Sequence, residues 1–141
     1  VGGQALDLSA GSGAGVEAVR EIHRCKTAAL VAAAAELGAL AADAPGSGRE
    51  ALRGYGLALG LCFQAVDDVL DVVGDAASLG KTPGKDAAAE KATLVDALGL
   101  EGARAEAQRR AEQARECARA VGTGEGGLLM QLVDHFLART T

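Results

Sequence analysis

Aromatic residues are almost absent from this 141-residue chain. There is no Trp, and only Tyr55, Phe63 and Phe136 carry a ring. The apolar half of the composition is instead Ala, Leu and Val, which favours helix over sheet. No segment alternates with the two-residue period of a strand, and no internal repeat is present. Positive charge is also scarce. A formal net charge of -5 and a pI near 5.0 argue against a nucleic-acid binder, although an acidic chain can still hold an anion locally. Cys25, Cys62 and Cys117 are widely spaced, with no CxxC and no metal-ligand spacing, so they read as reduced thiols used as small hydrophobes. The length fits one domain with a core that needs no disulfide staples. No signal peptide opens the chain. The richest apolar stretch, "AALVAAAAELGALAA", is too short, too rich in alanine and too charged to cross a bilayer. A cytoplasmic location is the resulting expectation. The abrupt opening "VGGQALDLSAGSGAG", without a methionine, reads as an entry into a longer polypeptide.

What is present is a succession of helix signals. "GGQALDL" reads as the last turns of a helix that "SAGSGAG" breaks. A helix is expected from Val16 to Ala42, stopped by Pro45 and Gly46. A second runs from Glu50 to Val73, and "GDAASLGKTPGKDAA" then forms a loop carrying Lys81 and Lys85. A short helix from Glu90 to Leu98, a charged amphipathic helix from Glu101 to Val121, and a last one from Leu128 to Ala138 complete an all-α chain.

The chemistry concentrates in "FQAVDDVLD". With a turn of about 100° per residue and Gln64 as origin, Asp71 falls near about -20°, Asp68 near about +40° and Asp67 near about -60°. Four polar side chains thus share one arc, with Gly60 on it one turn earlier, and Phe63, Val66, Val69 and Val73 on the opposite side. Like charges one turn apart repel. No Lys or Arg between Leu57 and Val73 relieves them. A solvated acidic face is the common meaning of such residues. Here the apolar flanks and the tight arc point to a hard divalent cation. Mg²⁺ accepts one or two carboxylates and takes further ligands from water and substrate phosphates. Lys81 and Lys85 in the Gly-rich loop, with Lys91 beyond it, suit the neutralisation of a polyphosphate. In "IHRCKTAAL", Lys26 and Thr27 sit among small alanines that admit a close neighbour. His23 is assigned no catalytic role. Arg20 and Arg24 are expected toward solvent or paired with Glu17 and Glu21.

Together, "GGQALDL", "IHRCKTAAL", "FQAVDDVLD" and "LGKTPGKDAAAEKATLV" resemble, in order and spacing, the trans-polyprenyl diphosphate synthase family. The resemblance implies an isoprenoid synthase helical bundle, a homodimer, and Mg²⁺-dependent condensation of isopentenyl diphosphate with an allylic diphosphate, dimethylallyl or geranyl, to farnesyl diphosphate. It implies that Asp67, Asp68 and Asp71 hold the metal, Asp67 foremost. Lys26, Thr27, Gln64 and Lys81 would hold the allylic substrate, with Lys26, Asp67 and Lys81 central to catalysis. Lys91 would face its diphosphate, and Gln4 and Asp7 would lie near the same cavity. The family's first aspartate-rich motif has no counterpart in this sequence. The chain is therefore expected to be the C-terminal half of a synthase domain, inactive without its N-terminal half and exposing apolar faces that the half would cover. Geranylgeranyl diphosphate as product, a non-catalytic partner subunit, and a terpene cyclase on the same fold remain alternatives.

Overall fold

A computed structural model of the chain describes residues 14–78, 92–122, 124–125 and 127–140. Helix α1 (Val16–His23) passes through a π-helical turn (Arg24–Ala28) into α2 (Ala29–Ala41). The long α3 (Gly46–Ser78), α4 (Leu94–Ala120), α5 (Leu128–Leu137) and a closing 3-10 turn (Ala138–Thr140) follow. Among the described residues every regular element is helical, as the composition predicts.

Two boundaries depart from the sequence reading. α3 starts at Gly46 rather than Glu50, and it continues through Gly74 to Ser78, where a loop is expected. An interior glycine costs a helix about 1 kcal/mol, which a helix of 33 residues packed along its length absorbs. α4 is kinked, and the two helices expected on either side of residue 99 meet at Gly99, whose backbone is non-helical. Its φ of 74° lies in the left-handed region that favours glycine. The continuous helix expected over Val16–Ala42 carries five π-helical residues in its middle.

α3 is the axis of the molecule. α4 packs along one side of it, α2 along another, and α5 lies against both α3 and α4. The seam with α4 is alanine-lined. Ala103, Ala107, Ala111, Ala114 and Ala118 are fully buried against Cys62, Ala65, Val66 and Val69 in one core. Small side chains on α4 let the two axes approach closely, and the middle of α3, from Tyr55 to Leu70, is mostly buried. Tyr55 donates its hydroxyl to the Leu129 carbonyl at 2.8 Å, and Phe136 meets Phe63 edge-on with ring centroids 5.4 Å apart. These two contacts fasten α5 to α3. The outer face of α2 is uncovered, with Leu30 75% and Leu37 64% exposed. No described helix is long and apolar enough to cross a membrane. All three cysteines are free thiols, and burial pushes Cys62 up to about 11.

Candidate active site

The site begins with two glycines. Gly56 and Gly60 lie one turn apart on α3, facing the chain at Val31–Ala32 and at Ala28. A Cβ on Gly60 would stand 2.6 Å from the Ala28 Cα, and one on Gly56 2.7 Å from the Val31 carbonyl oxygen. Only glycine permits that approach. The π-helical turn ends at this contact. Such turns are rare and recur at functional sites. Lys26 and Thr27 sit on it, so the alanines around them do admit a close neighbour, and that neighbour is α3.

The approach brings Thr27 to Gln64. The Thr27 hydroxyl donates to Gln64 Oε1 at 3.0 Å, and Gln64 is 8% exposed. The amide's orientation is thereby set from one side. Lys26 is exposed, and its charge acts on both Asp67 and Asp68. Thus Lys26, Thr27, Gln64, Asp67 and Asp68, drawn from two motifs far apart in sequence, converge on one end of the α1–α2/α3 contact.

The three aspartates are not equivalent. Asp68 is buried, and its Oδ2 accepts the Leu94 backbone N–H at 2.7 Å. Leu94 is the first residue of α4, so the carboxylate satisfies one unpaired donor at a helix N-terminus, where negative charge is favoured. Thr93 caps the same helix, accepting from the Asp96 N–H at 3.1 Å while its hydroxyl donates to Asp96 Oδ2 at 2.8 Å. The same Asp68 oxygen lies 3.4 Å from His23 Nε2, within ion-pair reach when the imidazole is protonated. Burial pushes Asp68 up to about 7; Asp71 and Asp67 add to this, and the Leu94 N–H and Lys26 oppose it. Asp67 is half-exposed, with Oδ1 3.8 Å from an Arg139 guanidinium nitrogen. Burial raises its pKa too, Asp71 adds to the rise, and Arg139 and Lys26 counter it. Asp71 is exposed. On the opposite side of α3, Val66 and Val69 are fully buried and Phe63 is half-buried, whereas Val73 is 40% exposed.

These donors fit a hard divalent cation on one side. Asp67 and Asp71 supply carboxylate oxygens one turn apart on accessible surface. Asp68 stands between them with Oδ2 committed to Leu94. Among the described residues no group of three or more His, Cys, Asp or Glu side chains is placed to hold a metal ion by itself. Gln4, Asp7, Lys81 and Lys91, with Lys85, lie outside the described residues. Two participants were not foreseen from sequence. His23 was set aside, although it stands three residues before Lys26 in the same motif. Arg139 is more than sixty residues from the aspartates and carries no local signal. Arg20 and Arg24 pair with Glu17 and Glu21, both at 2.6 Å, as expected, but Arg20 also reaches Glu106 across the helix interface at 2.9 Å.

Comparison with known proteins bears on this cluster. The chain is 49% identical over 119 residues to the farnesyl diphosphate synthase of Escherichia coli (strain K12), covering 82% of this chain and 39% of that protein. The chain thus spans about two-fifths of the length of that curated relative. Its fold superposes on a decaprenyl diphosphate synthase from Rhodobacter capsulatus with a TM-score of 0.82 at 26% identity, over 99% of this chain and 56% of the other. It also matches a geranyltransferase from Helicobacter pylori, solved with magnesium and isoprenyl diphosphate, with a TM-score of 0.69 at 32% identity, over 96% of this chain and 45% of that one. The sequence model of the polyprenyl synthetase family matches residues 1–123, and this chain, with the aspartate helix and the Lys26–Thr27 turn inside that span, belongs to that family.

Proposed function

We propose that this chain is the diphosphate- and metal-binding half of a prenyltransferase that condenses isopentenyl diphosphate with dimethylallyl or geranyl diphosphate to give farnesyl diphosphate. The observation that carries the proposal is the convergence of Lys26, Thr27 and Gln64 with the aspartate arc around one close helix contact. The magnesium and isoprenyl diphosphate in the Helicobacter pylori relative, and the product named for the Escherichia coli relative, support it.

Each residue has work of its own. Lys26, exposed on the π-helical turn, offers an ammonium group to a diphosphate oxygen. Thr27 holds Gln64 Oε1, which leaves the amide N–H₂ of Gln64 to donate toward the same diphosphate. Asp67 and Asp71, with the second oxygen of Asp68, would hold Mg²⁺, which when bound supplies charge neutralisation and Lewis-acid pull on the leaving diphosphate. Asp68 fixes the start of α4 against this helix, so the donor set is held rigidly from both ends. Gln4, Asp7, Lys81 and Lys91 remain in the proposal as further substrate contacts. The exposed apolar face of α2 around Leu30 and Leu37 fits a longer protein whose other helices cover it and shelter the reacting carbons from water. The homodimer and the cytoplasmic location belong to the same proposal.

The test uses the full-length native protein with labelled isopentenyl diphosphate, geranyl diphosphate and Mg²⁺. Asp67→Ala is expected to lower kcat by about 10²–10³-fold, the scale of losing one organised electrostatic contact to the transition state. Unchanged turnover in that variant sinks the proposal. Absence of label incorporation by the wild type points instead to a cyclase or a non-catalytic partner subunit.

A further inference from the structure

We infer that Arg139 is the resident counter-cation of Asp67, and that a divalent cation reaches the aspartate helix by displacing it. This rests on the reading of that helix as a metal site.

The placement of Arg139 follows from how α5 is fastened. Phe136 packs edge-on against Phe63, which lies one turn before Asp67 on α3. Leu137 is buried beside it at 9% exposure. The chain then tightens into the 3-10 turn Ala138–Thr140, which lies against α3. The turn brings the Arg139 guanidinium to 3.8 Å from Asp67 Oδ1, and this is the ion-pair partner the structure gives Arg139. Phe63, Asp67 and Asp71 are successive one-turn steps along α3, so the aromatic contact sets the register that puts the cation over the first aspartate rather than beyond it.

The pair is built to separate. At 3.8 Å it lies outside hydrogen-bond distance, so charge alone holds it. Both side chains are partly in water, 42% exposed for Arg139 and 37% for Asp67, where a lone ion pair is weak. A Mg²⁺ ion needs the carboxylate oxygen at about 2.0–2.1 Å and carries twice the charge. Guanidinium and metal compete for Oδ1, and the stronger, closer charge wins without a hydrogen bond being broken. With the site empty, Arg139 offsets part of the repulsion between Asp67 and Asp71. When the metal arrives, the arginine moves away from a carboxylate that no longer needs it.

The test is manganese(II) binding to the full-length protein without diphosphate, read from the electron paramagnetic resonance signal of the free ion. Manganese(II) takes the same oxygen ligands. Arg139→Gln is expected to bind it about two- to fivefold more tightly than wild type, the range for removing one exposed ion-pair competitor. Arg139→Lys keeps the competing charge and should retain wild-type affinity. Asp67→Asn should lose binding. If Arg139→Gln binds no more tightly than wild type while Asp67→Asn still loses the ion, the arginine's role is refuted and the metal reading stands. If Arg139→Lys matches Arg139→Gln, charge competition is refuted in the same way. If Asp67→Asn binds like wild type, or wild type binds no manganese, both this inference and the metal reading fall.

Discussion

Two carboxylates are buried to a similar degree among the described residues, Glu106 at 2% exposure and Asp68 at 9%, and their surroundings are opposite. Glu106 on α4 receives Arg20 from α1 and Arg109 and Arg110 from its own helix. Burial alone would push its pKa up. The hydrogen bonds from Arg20, Arg109 and Arg110 outweigh that and bring it to about 2. Asp68 on α3 has one backbone N–H, one imidazole at 3.4 Å and two other aspartates within one turn on either side, and it is pushed up to about 7. One site is complete within the fold: its charge ties α1 to α4 with nothing left to bind. The other is under-compensated among the described residues. A protein tolerates that deficit where a ligand of opposite charge is to be bound, and perturbed carboxylates for this reason gather at functional sites.

The contrast can be broken most directly at Glu106. Glu106→Ala leaves three arginines facing a buried gap. Breaking a buried pair costs about 3–5 kcal/mol. Because the arginine side chains are 24–59% exposed, about 2–3 kcal/mol is expected here in urea melts of the full-length protein. A loss under about 0.5 kcal/mol, the level of an ordinary surface change, ends the claim that this cluster is structural.

Metal addition sharpens the other half of the comparison. Mg²⁺ at ten times its dissociation constant should raise stability by about 1.4 kcal/mol. Asp67→Asn should abolish that gain and Glu106→Gln should keep it. A gain lost in Glu106→Gln would show that the two sites are not independent.

The pH dependence carries a definite sign. Glu106 has a folded pKa of about 2, below the ordinary glutamate value of 4.5. Its contribution is therefore whole above pH 4.5 and is lost as pH falls from there through about 2. Acid titration of stability in wild type and Glu106→Gln should diverge above that window and converge below it. Parallel curves throughout would contradict the assignment.

The smallest effect is expected at Asp68. Asp68→Asn keeps an oxygen that accepts from the Leu94 N–H, removes a charge that burial already disfavours, and strands no arginine. Its stability should stay within about 0.5 kcal/mol of wild type. A loss as large as that of Glu106→Ala would mean that the His23 contact is worth as much as the arginine cluster.

Much of this architecture is legible in the sequence. The Ala- and Leu-rich composition, the absence of strand alternation and the glycine-rich breaks placed the helices. The rotation of about 100° per residue put Gln64 and the three aspartates on one arc. Boundaries were less legible because packing decides them. Gly74 reads as a stop signal, yet helix continues past it to Ser78. Gly99, by contrast, interrupts the helix where the sequence places a break. The burial of Asp68 was not legible at all. Geometry along one helix cannot say which carboxylate meets another helix's N-terminus, and here it is Asp68.

The sequence by itself determined the helical class, the shared arc of Gln64, Asp67, Asp68 and Asp71, and the charge deficit on it, because these depend on helical pitch and on residue type over short spans. Only the tertiary structure decided the π-helical turn under Lys26 and Thr27, the Thr27–Gln64 bond, the burial of Asp68 against Leu94 and His23, and the approach of Arg139 to Asp67. Each depends on how closely two segments distant in sequence come together. That closeness is set by Gly56 and Gly60 against the backbone from Ala28 to Ala32, and by Phe63 against Phe136. Such contacts leave no periodic trace in the chain, since the partner that gives each glycine or phenylalanine its meaning lies dozens of residues away.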